Sequence, residues 1–225
     1  RIAAASRSVS GGRFIARRRW ASGANPPAGH FSAWKVCVPR TIISCSIAAW
    51  AGVAGPERDV RGASFLEARD WAERSRTLDG LSVHDAPSLN LRTDEGAERI
   101  EAEWVSVSYF ALLGATPALG RTFLPEEDAV PDRDAVVVLA HSLWSERFGA
   151  DPGIVGRAIT LNDRPYTVVG VMPEGFSGLS YQAQAWIPSM MIGVMGDPSL
   201  LERRGTRWIG AVARLADGVT MEEAQ

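Results

Sequence analysis

Val136, Val137, Val138 and Leu139 form an apolar run with no polar position to turn toward water. A run this short and unbroken marks a strand buried on both faces, so the fold must supply cover on two sides. The residues after it describe that cover. Leu143, Trp144 and Phe148 fall on one face of a short helix that also carries Arg147. Gly149 can take the left-handed conformation that ends a helix, and Asp151-Pro152 prevents its resumption. Ala158, Thr160 and Leu161 then lead into Asn162-Asp163, a pair that tolerates positive φ, and Tyr166, Val168, Val169 and Val171 return. The stretch from Trp104 to Pro173 reads as a β-α-β-β scaffold.

Upstream, Ser64-Phe65-Leu66-Glu67 fits a capping box for a helix that carries Trp71 and stops near Asp79-Gly80. Leu81 to Leu91 predicts one strand broken at Pro87. Arg99 to Val107 predicts another, with Ile100, Ala102 and Trp104 alternating against Glu101 and Glu103. Ser108 caps a short helix with Phe110, Leu112 and Leu113, ended by Gly114. Ala185 to Pro188 and Trp208 to Leu215 predict further strands, and Thr220-Met221-Glu222-Glu223 is a second capping box. The expected class is α+β. A mixed sheet carries short helices on one side, with inner strands from Glu98–Val107, Ala135–Leu139 and Trp208–Leu215, and Arg157–Val171 makes a β-hairpin subdomain.

The net charge of −2 conceals an asymmetry. Residues 1–56 carry Lys35 and seven arginines without an acid, whereas the remainder holds 16 basic and 26 acidic groups. A basic head on an acidic body is the charge pattern of a cytoplasmic flank before an exported domain. Residues 1–60 are therefore expected to be a basic, poorly ordered segment and 61–225 the folded domain. Within the head, 41–55 is an apolar run of fifteen, short of the ~20 residues a spanning helix needs. It reads as a degenerate membrane anchor, a signal-like core or a buried segment. Cys37 and Cys45, without a nearby histidine, make no zinc site. Lys35, the only lysine, follows no glycine loop, so the chain has no P-loop.

Candidate reagents are few. His30 lies in the basic head. His84-Asp85 has the residue types of an oriented base, yet no nucleophile is tied to it, and a surface turn before Pro87 is the expectation. His141-Ser142 follows the buried strand without a Gly-x-Ser-x-Gly elbow, and Gly175-Phe176-Ser177-Gly178 lacks that spacing too. Glu126, Glu127 and Asp128 suit the first turn of a helix as a solvated face, since successive helical residues diverge too far to share a cation. Arg203, Arg204 and Arg207 could meet phosphate or carboxylates, but the acidic body argues against nucleic acid. Trp104, Trp144, Trp186 and Trp208 could line a pocket or fill a core. No catalytic, cofactor-binding or metal-binding residue is assigned.

The motifs WVSVSYFALLGATPALGRTF and VVVLAHSLWSERFGADPGIVGRAITLNDRPYTVVGVMP resemble the periplasmic core domain of MacB-type ABC transporter permeases and the wider FtsX-like permease group. Asp70 to Ser75 upstream, with Ala213-Arg214-Leu215 and Gly218-Val219-Thr220 downstream, fit the same family order. The resemblance implies porter-like βαβ elements beside a β-rich part. It also implies a place on the extracytoplasmic side of the bacterial inner membrane, and a partner ABC ATPase in another subunit or domain. A periplasmic adaptor is implied as a further partner, and attachment to the membrane is expected through helices outside this sequence. Two alternatives from other classes are a soluble periplasmic ligand-binding module and a hydrolase using His84 or His141.

Overall fold

The Val136–Leu139 run forms a strand buried at every position, as its composition requires. In the computed structural model, residues 42–45, 62–220 and 222–224 are described. In chain order they hold β1 (Ile42–Cys45), α1 (Phe65–Arg74), β2 (Leu78–Asp85), β3 (Ser88–Thr93), β4 (Gly96–Val105), α2 (Tyr109–Leu113), β5 (Leu119–Gly120) and β6 (Val136–Leu139). These are followed by α3 (His141–Phe148), β7 (Ala158–Leu161), β8 (Arg164–Val171), β9 (Ala185–Pro188) and β10 (Gly210–Leu215), with short 3-10 turns between them. The class is α+β with a mixed sheet: β6 runs parallel to β8 and β9 parallel to β4, and the other pairings are antiparallel.

The pairing closes on itself. From β4 the hydrogen-bonded neighbours run through β3, β7, β8, β6 and β9 and return to β4. A limb of β2, β10 and β1 leaves this ring at β4, where β2 contributes only the pairs His84–Val105 and Asp85–Trp104. Alternation splits the buried side chains between two clusters. Ile100, Ala102, Trp104, Val137, Leu139, Ala185 and Ile187 join one, and Val105, Val136, Val138 and Trp186 join the other with α2. The local signals for the helices are in place. Ser64 and Glu67 exchange both bonds of the capping box, and Gly114 and Gly149 end α2 and α3 in the left-handed conformation. Asn162 and Asp163 take φ of 46° and 61°, closing the β7–β8 hairpin.

Three expectations are corrected. α1 ends at Arg74, before Asp79-Gly80, because Leu78 already pairs with Leu215 of β10. Leu81 to Leu91 is two strands with different partners: β2 pairs with β10 and β3 with β7, each also touching β4. Pro87 therefore separates elements where a bend in one strand was expected. Glu103 does not alternate outward with Glu101. It is fully buried, because β4 gains cover on both faces from Ala102 onward.

Of the apolar run 41–55, only β1 is described, paired antiparallel with β10. The expectations for the rest of the basic head, including His30, Lys35 and Cys37, lie outside the described residues.

Candidate functional site

Glu103 is the centre of the most constrained group in the domain. Its carboxylate accepts from the Tyr109 hydroxyl at 2.5 Å, the Trp186 indole Nε1 at 2.8 Å and the Ser180 amide at 2.6 Å. The Tyr109 oxygen in turn accepts from the Leu179 amide at 2.8 Å. Four segments (β4, α2, β9 and the loop between β8 and β9) thus meet on one buried charge with no cation beside it. Each donor answers a lone pair, which is what makes burial of a carboxylate tolerable. Burial, reinforced by the adjacent Glu103 charge, pushes the Tyr109 phenol far above its ordinary range, so it stays a donor. Gly178 sits against the carboxylate with φ 69°, and a Cβ there would overlap the Glu103 oxygens. Sequence reasoning missed this group. The signal that could have found it is the break in alternation at Trp104-Val105, where two adjacent apolar residues mark two-sided cover directly beside Glu103.

The predicted candidates do not converge. His84 lies within β2, half-buried, where a surface turn was expected. Its Nε2 is shielded from solvent without a hydrogen-bond partner. Burial lowers its pKa below the ordinary value, against the opposing pull of Glu103 and Asp85. Asp85, raised by burial, accepts from the Ala86 amide at 2.9 Å and does not orient the imidazole. His141 opens α3 and meets the Trp144 ring edge-on at 5.3 Å, while the Ser142 side chain is exposed. Ser177 lies on the loop between β8 and β9.

The acidic trio is not one solvated face. Residues 125–128 form a 3-10 turn in which only Glu126 is exposed. Glu127 binds the Arg121 guanidinium through two bonds of 2.7 and 2.8 Å and also accepts from the Leu124 amide. Asp128 turns inward and accepts from Val107 N, Ser189 Oγ and Met190 N at 2.8 to 2.9 Å. Burial raises its pKa in spite of those three donors. The arginines are likewise engaged: Arg203 with Asp197, Arg204 with Asp70 and Arg207 with Glu67. Arg204 and Arg207 therefore strap α1 to the loop before β10. Trp104 and Trp208 stack at 5.1 Å in one cluster, Trp186 belongs to the other, and Trp144 donates to the Asp151 carbonyl. They are core residues and share no pocket wall.

A cleft of about 190 Å³ opens beneath α1, walled by Phe65, Ala68, Leu81 and Val83, with Ser106 and Asp128 at its polar end. Drug-sized ligands occupy pockets of ~300–1,000 Å³, so this one is undersized for a binding module. Its polar groups are already used. Ser106 Oγ lies 2.8 Å from Ser82 Oγ and accepts from the Val83 amide, and Asp128 is saturated as described. No group of three or more His, Cys, Asp or Glu poised to hold a metal occurs among the described residues. No described helix is long and apolar enough to cross a membrane.

Comparison with known proteins places this architecture. Residues 39–225 match the family described as MacB-like periplasmic core domain. The macrolide export ATP-binding/permease protein MacB of Salmonella paratyphi A is 30% identical over 141 residues, and that of Shigella dysenteriae serotype 1 is 31% identical over 143. Each alignment covers 61% of this chain and 20% of the relative, so the chain spans about one fifth of the curated relatives it matches. Among solved structures, the periplasmic region of MacB from Actinobacillus actinomycetemcomitans superposes with a TM-score of 0.62 at 15% identity, covering 83% of this chain and 79% of that one. The extracellular domain of the noncanonic ABC-type transporter YknZ from Gram-positive bacteria gives 0.54 at 14% identity, over 72% and 76%. On a family match that spans all but its first 38 residues, the chain belongs to the MacB-like periplasmic core domains of ABC transporter permeases.

Proposed function

We propose that this chain is a non-catalytic extracytoplasmic module of an ABC-type export permease, carrying conformational change between a cytoplasmic ATPase and an exported substrate or a periplasmic adaptor. The observation that carries this reading is the Glu103 group. It ties four segments through one buried carboxylate, and a part that passes on displacement must move as a unit rather than absorb motion internally. The matched MacB proteins are by name ATP-binding/permease proteins. Lys35 follows no glycine loop here, so nucleotide hydrolysis falls to another segment or subunit. On this reading residues 61–225 are the working domain, on the periplasmic side of the bacterial inner membrane, with residues 1–60 as a basic lead-in and membrane attachment through helices outside this sequence.

The absence of a catalytic role is part of the proposal. It is supported by the isolation of His84 Nε2, by the exposure of Ser142, and by the prior engagement of Asp128 and the loop arginines. The test uses the intact permease with its ATPase, reconstituted in vesicles. Glu103→Gln should lower transport per ATP hydrolysed while hydrolysis itself continues. Transport and hydrolysis both unchanged in a folded Glu103→Gln permease would contradict the lever reading. Turnover of a chemical substrate by the purified chain, lost in His84→Ala, would contradict the non-catalytic one.

A further inference from the structure

The joint between the six-strand ring and the β2–β10–β1 limb contains an ionisable group with no hydrogen-bond partner. β2 meets β4 through two residue pairs only, and one of them is His84–Val105. On the other side His84 pairs with Gly210 of β10. The imidazole lies flat enough on Gly210 that a Cβ there would stand 2.5 Å from Nε2, so the missing side chain is what admits the ring. Nε2 has neither donor nor acceptor nearby. Glu103, two residues from Val105, is on the same face of β4 but is already saturated by three donors. The charged groups acting on the ring are Glu103 from β4 and Asp85 from its own strand, while β10 presents only Gly210 at this position.

We infer that His84 makes this joint acid-sensitive, and that protonating the imidazole separates β2 from β4. A second ring proton has no acceptor in the closed joint. The imidazolium can be satisfied only if the ring swings out to water or the two pairs open. Opening would also break the bond from the Ser106 amide to the Val83 carbonyl, 3.1 Å in the closed form. The sign follows from burial. A histidine whose folded pKa lies below its ordinary value of 6.5 leaves the closed form fully stable above that pH, and stability is lost as pH falls below it. The pH just outside the membrane would then set how firmly the limb is held to the ring. That consequence rests on the lever reading above, whereas the joint's acid sensitivity does not.

The 225-residue chain is itself the test object. NMR titration resolves His84 beside His30 and His141, and hydrogen exchange reads the Ser106 amide after correction for its intrinsic rate. The His84 midpoint should fall below 6.5. Ser106 protection should drop about tenfold between about pH 7.5 and about pH 5.5 in the wild type and stay level in His84→Gln. A His84 midpoint at or above 6.5, Ser106 protection independent of pH, or an equal drop in His84→Gln would each overturn the inference. The titration needs no variant, so a poorly folding His84→Gln does not leave the question open. Failure here would leave the permease reading standing, because nothing in the measurement involves transport.

Discussion

The Tyr109 hydroxyl stands 2.5 Å from the Glu103 carboxylate, and neither residue is exposed to solvent. The pair joins α2 to β4, and through the Leu179 and Ser180 amides it extends to the loop that returns the chain to β9. A buried charge held this way depends on each of its donors, since removing one exposes the full desolvation cost of what is left.

Glu103→Gln turns an acceptor-only group into one that presents its own N–H donors to three others. Unfolding in denaturant should show a loss of about 3 kcal/mol. Tyr109→Phe, which deprives Glu103 of one donor and the Leu179 amide of its acceptor, should cost roughly 1–3 kcal/mol. The double variant should cost less than the sum of the two, by about 1 kcal/mol, because the pair acts as one group. Simple additivity would mean that the contact carries no energy of its own.

Gly178 and Gly205 separate strain from crowding. Both have positive φ, 69° and 89°, but a Cβ at Gly178 would overlap the Glu103 carboxylate, while at Gly205 it would meet nothing within 4 Å. Gly205→Ala should cost about 1–2 kcal/mol, the left-handed penalty alone. Gly178→Ala should cost clearly more, since the carboxylate must also move away from its donors. Equal losses in thermal or denaturant unfolding would show that the loop does not press on Glu103.

Asp128 should titrate late. Burial outweighs its three donors, so its folded pKa lies above the ordinary 3.8. The sign is opposite to that of a paired surface carboxylate. Its contribution is greatest below 3.8, where it is protonated in both states, and declines as pH rises through its folded pKa. Carboxyl-detected NMR should place its midpoint above 3.8, and a midpoint at or below that value would mean that its donors win over burial.

Much of the fold was legible because local chemistry and tertiary need agreed. The Val136–Leu139 run announced two-sided cover, Asn162-Asp163 a tight hairpin, and Ser64 with Glu67 a helix start. Each of these is decided within a few residues. Glu103 was not legible, because alternation records only which side of a strand a residue faces. Whether that face meets water depends on α2 and on a loop some 75 positions away, at Ser180. Pro87 misled for a similar reason: a proline cannot say whether the strand beyond it keeps its partner, and here β3 leaves β10 behind for β7. The inward turn of Asp128 depended on Ser189 and Met190, far along the chain.

Native-state hydrogen exchange at the Leu179 and Ser180 amides tests the claim of a stiff, cross-tied body most directly. Both lie on a loop, where exchange through local opening is the ordinary expectation. If the Glu103 group makes the domain one unit, both amides should exchange with an opening free energy within about 1 kcal/mol of that at Val138 in the central strand β6. Exchange at Leu179 and Ser180 several kcal/mol easier than at Val138 would show that the loop opens on its own and that the domain is not the rigid lever described.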